Sequence, residues 1–142
     1  MPPPPITISP RQQAELLAAA QQAAQQAYAP YSGFRVGAAL LLEDGNIVTA
    51  ANVENASYGL SICAERSAVV RAIAQHGPTL RIQAVAVTNL NNAPSSPCGA
   101  CRQVLSEFMP PNGLVLFPFD GTPQTHTLAE LFPLGFDLTH AE

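Results

Sequence analysis

Apolar residues recur along this chain with two different periods, and the change from one to the other marks its elements. Between Ser9 and Ala29 the apolar positions Leu16, Leu17, Ala20, Ala24, Ala27 and Tyr28 fall on one stripe of a 3.6-residue repeat, which predicts an amphipathic helix. Ser9-Pro10-Arg11-Gln12 starts it: Ser9 can cap, Pro10 suits the first helical position, and Gln12 completes a capping box. Pro30 stops it. Val36 to Glu43 is instead an almost unbroken apolar run, the pattern of a strand buried on both faces, and Asp44-Gly45 turns it back into Ile47 to Ala51. Ser61 is expected to cap a second helix from Cys63 to about Gln75, closed by Gly77 and Pro78. Ile82 to Thr88 reads as the third strand, Asn89 to Pro97 as a loop, Cys98 to Met109 as a third helix, and Leu114 to Phe119 as the fourth strand. Thr127 to Phe132 reads as a short last helix. Strands alternating with helices, with no repeat and no linker, predict one three-layer α/β domain over residues 9–142. Residues 1–8 read as a stiff, proline-rich, mobile tail without catalytic content.

Composition adds a leaning toward burial. Charged residues are 11% of the chain against about 25% in ordinary soluble domains, and apolar residues are 47%, so little charge is available to cover a lone monomer. That favours an oligomer with apolar interfaces, although an alanine-rich surface would look the same. The net charge of −4 and the absence of lysine leave no basic face for a nucleic acid polymer. No apolar run approaches the length of about 20 that spans a bilayer, and the start of the chain lacks the charge and apolar stretch of a signal peptide. A cytoplasmic protein with reduced cysteines is expected, because an odd cysteine count with a C-x-x-C suits metal or redox chemistry better than a disulfide framework.

The candidate chemistry lies in Cys63-Ala64-Glu65 and Pro97-Cys98-Gly99-Ala100-Cys101, which together hold all three cysteines. Three thiolates and one spare carboxylate are the parts of a zinc site with an open position. Structural zinc is closed by four protein ligands, whereas catalytic zinc takes three and leaves a place for water. His76 lies about 20 Å of helix rise beyond Cys63, too far to close the site, while spacing leaves His126 and His140 open as a fourth ligand. Cys63 and Cys98 each open a helix, where the dipole favours thiolate, and Cys98 and Cys101 share one face of their helix. Three thiolates leave a divalent ion at net −1, which opposes ionisation of a bound water, so a cation beside the sulfurs is expected. Arg66 is the first candidate for that role and Arg102 the second.

These motifs, with Tyr31 to Ala39 and Asn52 to Gly59, resemble the zinc-dependent cytidine deaminase family, the small type acting on free nucleosides, over nearly all of residues 10–136. Cys63 stands where the commonly written H-x-E signature has histidine, and the three-cysteine form argues against the polynucleotide editors. The resemblance implies a mixed five-stranded sheet between helices, its fifth strand near Thr122 to Thr127. It implies one zinc per subunit on Cys63, Cys98 and Cys101, activating a water, with Glu65 as catalytic proton shuttle. Asn52 and Glu54, two apart near a strand end, share one side and by resemblance grip the ribose. Phe34 would pack on the pyrimidine, and the Ala64 backbone and the carbonyl around Pro97 would read the base edge. Tyr58 and Phe136 would enter a neighbouring subunit's site in a homotetramer. The implied reaction is deamination of cytidine and 2′-deoxycytidine in pyrimidine salvage. A deaminase of nucleoside-like antibiotics, a structural zinc module and a thioredoxin-like redox protein are the competing readings. Asn52 to Asn55 and Tyr58 favour the ribose-binding form over the first. Cys63-Ala64-Glu65 would serve no purpose in a redox protein.

Overall fold

The structure, a computed structural model, describes residues 3–138. A five-stranded sheet in the order β2-β1-β3-β4-β5 is built from β1 (Val36–Leu42), β2 (Ile47–Ala51), β3 (Ile82–Asn89), β4 (Leu114–Phe119) and β5 (Thr122–Thr127). β1 pairs antiparallel with both β2 and β3, β3 with β4 is parallel, and β4 with β5 is antiparallel, so the sheet is mixed. The fifth strand has no apolar alternation because it is an edge: in Thr122-Pro123-Gln124-Thr125-His126-Thr127 no residue is fully buried, and its pairing with β4 rather than its own side chains makes it a strand.

Successive residues of the buried strands feed opposite cores. Ala39, Leu41, Ala84, Ala86, Leu114 and Leu116 face α1 (Pro10–Ala23), with Leu16 and Ala20. Ala38, Leu40, Leu42, Val85, Val87, Val115 and Phe117 face the other layer, formed by α2 (Ala64–His76), α3 (Gly99–Ser106) and α4 (Leu128–Leu131). This alternation across a doubly covered sheet is why the strands read as continuous apolar runs.

Local signals set most helix ends. Ser9 accepts from the Gln12 backbone N–H and Gln12 reaches back to Ser9, forming the expected capping box. α1 ends at Ala23 and tightens into a 3-10 turn over Ala24–Gln26, short of Pro30, which leaves Tyr28 to bridge Val53. Ser61 does not cap α2. Its hydroxyl accepts from Asn55, and Cys63 takes the N-cap position without a side-chain capping bond. A second capping box, Thr127 with Glu130, starts α4.

Residues 4–8, before α1, are docked on the domain rather than forming a mobile tail, and residues 1 and 2 lie outside the described residues. Ile8 is only 6% exposed in the α1-side core, Ile6 N–H donates to the Asn112 carbonyl, and Asn112 Nδ2 donates to the Pro4 carbonyl. Two isoleucines with an apolar slot to fill outweigh the proline stretch beside them.

α1 rests on β1 at Gly37. A Cβ there would overlap the Ala20 carbonyl oxygen and lie 2.6 Å from the Ala24 backbone nitrogen. Both obstacles are backbone, so no rotamer change relieves them. Gly37→Ala is expected to lose about 3 kcal/mol, the upper end for overpacking, measured by urea unfolding. An unchanged midpoint would show that α1 can lift off the sheet without cost.

Candidate active site and metal centre

The site is assembled at the starts of α2 and α3. Cys63 and Cys98 are N-cap residues with extended backbone, and neither sulfur caps its own helix, so both are available for other partners. Cys101, fully buried on the first turn of α3, completes the cluster. The sulfurs of Cys63 and Cys98 lie 3.8 Å apart and those of Cys98 and Cys101 3.4 Å, and all three fall within 4.8 Å of one another. Thiolates at about 2.3 Å from a tetrahedral zinc would be about 3.8 Å apart, so the cluster has the span zinc requires. The three cysteines are free thiols.

The thiols divide their protons unequally. Cys63 is held down to about 5, first by the hydrogen bond from the Cys101 thiol and then by Arg66 and Cys98, against the opposing effect of burial. Cys101 is pushed strongly up by the same Cys63 bond, by burial and by the charge of Glu65. One proton is thus retained where a divalent cation would displace it. Arg66 Nη2 donates to Cys63 Sγ at 3.4 Å, which puts the expected cation beside the ligands. Arg102 is committed elsewhere: its Nε donates to the Pro97 carbonyl at 2.8 Å and its Nη1 to the Leu131 carbonyl at 2.7 Å, tying α3 to α4.

Glu65 is 4% exposed. Burial pushes its carboxyl up to about 7, and the neighbouring Cys63 thiolate pushes the same way. It shares the wall of a cavity of about 260 Å³ with Cys63, Ala64 and Cys98. Phe34 and Asn52 also line it. Asn52 also shapes the site: Nδ2 donates to the Phe34 carbonyl at 2.9 Å and Oδ1 accepts from Val36 N–H at 2.9 Å.

Other anticipated residues are placed differently. Glu54 does not line this cavity; its Oε1 accepts from the backbone of Tyr31 and Ser32, and its Oε2 from the Ser32 hydroxyl, a bond that holds its carboxyl below the ordinary range. Pro97 is buried and does not line the cavity. Tyr58 and Phe136, 86% and 67% exposed, stand away from the cavity of their own chain. His126 is stacked on Phe117 and bonded to Glu130 and Gln124, outside the thiol cluster, and His76 is exposed at the end of α2. His140 lies outside the described residues.

Sequence reasoning missed Val36, Ile62, Val87, Pro94, Ser95 and Ser96, which complete the wall. The position of the polar loop 89–97, ending at a metal ligand, was the available signal for three of them.

A thiol cluster at two helix starts, with a buried carboxylate one position into the first, on a mixed sheet covered on both faces, defines a zinc-binding deaminase class of protein. Residues 10–116 match the cytidine and deoxycytidylate deaminase zinc-binding region. The chain is 46% identical over 122 residues to a cytidine deaminase of Halalkalibacterium halodurans, covering 85% of this chain and 91% of that one. It is 43% identical over 133 residues to one of Sporosarcina psychrophila, covering 89% and 95%. The crystal structure of cytidine deaminase from Burkholderia pseudomallei superposes with a TM-score of 0.79 at 43% identity, covering 87% of this chain and 98% of that one. This chain belongs to the zinc-binding cytidine and deoxycytidylate deaminase family. Among the described residues no helix is long and apolar enough to cross a membrane.

Proposed function

We propose that the protein hydrolyses cytidine and 2′-deoxycytidine to uridine and 2′-deoxyuridine with release of ammonia, serving pyrimidine salvage in the cytoplasm, where its thiols would stay reduced. Residues 9–142 would act as one catalytic domain. The observation that carries this reading is the buried Glu65 on the same cavity wall as Cys63 and Cys98. Zinc held by Cys63, Cys98 and Cys101 would supply a water of lowered pKa as the nucleophile for C4.

Glu65 moves the protons. Its carboxylate takes one from the attacking water and delivers it to N3, then carries the next to the departing amine, so that water and cytidine leave as uridine and ammonia. A carboxyl raised toward neutrality by burial is suited to gain and lose a proton within one cycle. Arg66 offsets the ligand charge through Cys63. Phe34 packs against the pyrimidine, while the Ala64 N–H, an unpaired donor at a helix start, and the Pro97 carbonyl read the base edge. That carbonyl already accepts from Arg102, which leaves it one lone pair. Asn52 and Glu54 take the ribose hydroxyls; Glu54 would exchange its Ser32 bond for the 3′-hydroxyl.

Exposed Tyr58 and Phe136, with the low charge of the chain, support a homotetramer in which each site is completed by neighbours. The test combines zinc analysis with ammonia release from cytidine and from deoxycytidine. One zinc per chain and turnover of both are expected; a metal-loaded protein that releases no ammonia from either overturns the reading. Mixing inactive Glu65→Gln and Tyr58→Ala subunits should restore part of the activity, because mixed tetramers contain sites with both residues intact. An active monomer of 14.9 kDa by light scattering would refute shared sites.

A further inference from the structure

Phe34 lies on a five-residue stretch, 32–36, with no helix or strand until Val36, yet it forms a cavity wall. Backbone that is not in a ladder must find its hydrogen bonds elsewhere. Part of that accounting is met by Asn52, on the carbonyl of Phe34 and the N–H of Val36. Further bonds come from the Ser32 hydroxyl, which accepts from the Phe34 N–H at 3.0 Å, and from the segment that follows β3 alongside β1. Asn91 Oδ1 accepts from the Arg35 N–H at 3.0 Å, and Asn91 Nδ2 donates to the Gly33 carbonyl at 3.1 Å, so one carboxamide bonds the residues on either side of Phe34. The Leu90 N–H adds a bond to the Arg35 carbonyl at 3.0 Å.

Asn91 is itself fixed from below. Asn89, 6% exposed at the end of β3, accepts on Oδ1 from the Asn91 N–H at 2.8 Å and the Ala93 N–H at 3.1 Å. These two backbone donors settle the amide's orientation. Nδ2 then donates to the Ala93 carbonyl at 2.7 Å and to the Ser95 hydroxyl. All four hydrogen-bonding directions of the Asn89 amide are used, on the loop that also supplies Pro94, Ser95 and Ser96 to the cavity wall and leads into Cys98.

We propose that Asn91, anchored through its backbone by Asn89, is a positioning residue that sets the Phe34 wall of the cavity against the Pro94 to Ser96 wall. It touches no reacting atom. Its effect passes through Phe34, and it serves whichever pyrimidine nucleoside the site accepts, so it rests on the functional reading above. Asn91 is exposed, and its side chain is not in either core, so removing it leaves the packing of both sheet faces and the thiol cluster alone.

The experiment is a double-mutant cycle of Asn91→Ala and Phe34→Ala, assayed by ammonia release from cytidine, with zinc content and melting temperature recorded for each protein. Asn91→Ala is expected to keep its zinc and its melting temperature and to lose about ten-fold in kcat/KM, chiefly through KM, because misplacing a wall by a fraction of an ångström weakens orientation of the base. In the Phe34→Ala background the same change should cost less than about two-fold, since there is no ring left to position. Equal losses in both backgrounds, or none in either, overturn the proposal. Should Asn91→Ala fold poorly, Asn91→Asp, which keeps the acceptor for Arg35, replaces it in the cycle under the same criterion. A wild-type protein inert on cytidine overturns the functional reading; active wild type with an equally active Asn91→Ala overturns the clamp alone.

Discussion

Glu65→Gln is expected to bind zinc, fold as the wild type does, and lose about 10⁴-fold in kcat, the upper end for a general acid–base residue, because one carboxylate is asked to serve successive proton transfers. Gln preserves the shape of the side chain and removes its capacity to accept a proton. Stability should not suffer. Burial and the Cys63 thiolate both disfavour the charged form of Glu65, raising its pKa to about 7, so its ionisation as pH rises through that value opposes folding, and a neutral amide avoids that cost. Melting curves at pH 8 with metal analysis check the first part, and steady-state rates on cytidine the second. Turnover within ten-fold of wild type would remove Glu65 from the proton path. Loss of zinc would make it a ligand.

Cys101→Ala is expected to abolish zinc binding and activity together and to lower stability more than its small volume change explains. Cys101 is fully buried, and its sulfur sits 3.4 Å from that of Cys98, so its removal both opens a core site and breaks the donor set. Binding to the folded state alone stabilises by about 4 kcal/mol when the ligand stands at a thousand times its Kd. The wild type treated with a strong chelator should show that part of the loss, and Cys101→Ala should be indifferent to the chelator. A wild-type melting temperature unmoved by chelation would sever metal binding from folding.

Where a local cue and the tertiary arrangement agreed, the chain was readable in advance. The Ser9–Gln12 capping box, the Asp44-Gly45 turn and the apolar runs of β1, β3 and β4 each depend on neighbours in sequence. β5, placed only by the family resemblance, and the docking of Ile8 were not readable from the residue pattern, because each is decided by a distant partner, β4 in one case and the α1-side core in the other. Ser61 was a sound N-cap candidate, but Asn55 claims its hydroxyl and the N-cap falls two residues later, at Cys63.

By itself the sequence determined which groups are available for chemistry: three thiols in two motifs, a carboxylate two residues after the first, and a candidate cation in Arg66 or Arg102. Spacing does that because Cys98 and Cys101 lie on one helix turn and no other thiols exist. Only the tertiary structure decided the contest between the arginines, since both sit one residue past a motif and differ only in what surrounds them: Arg66 meets a sulfur, Arg102 meets two carbonyls. It also decided that Glu54 holds a turn while Asn52 faces the cavity, and that Asn91 reaches across to Gly33 and Arg35. Such long-range hydrogen bonds join residues whose separation along the chain carries no periodic signal. They form only after the sheet has brought the ends of β1 and β3 side by side.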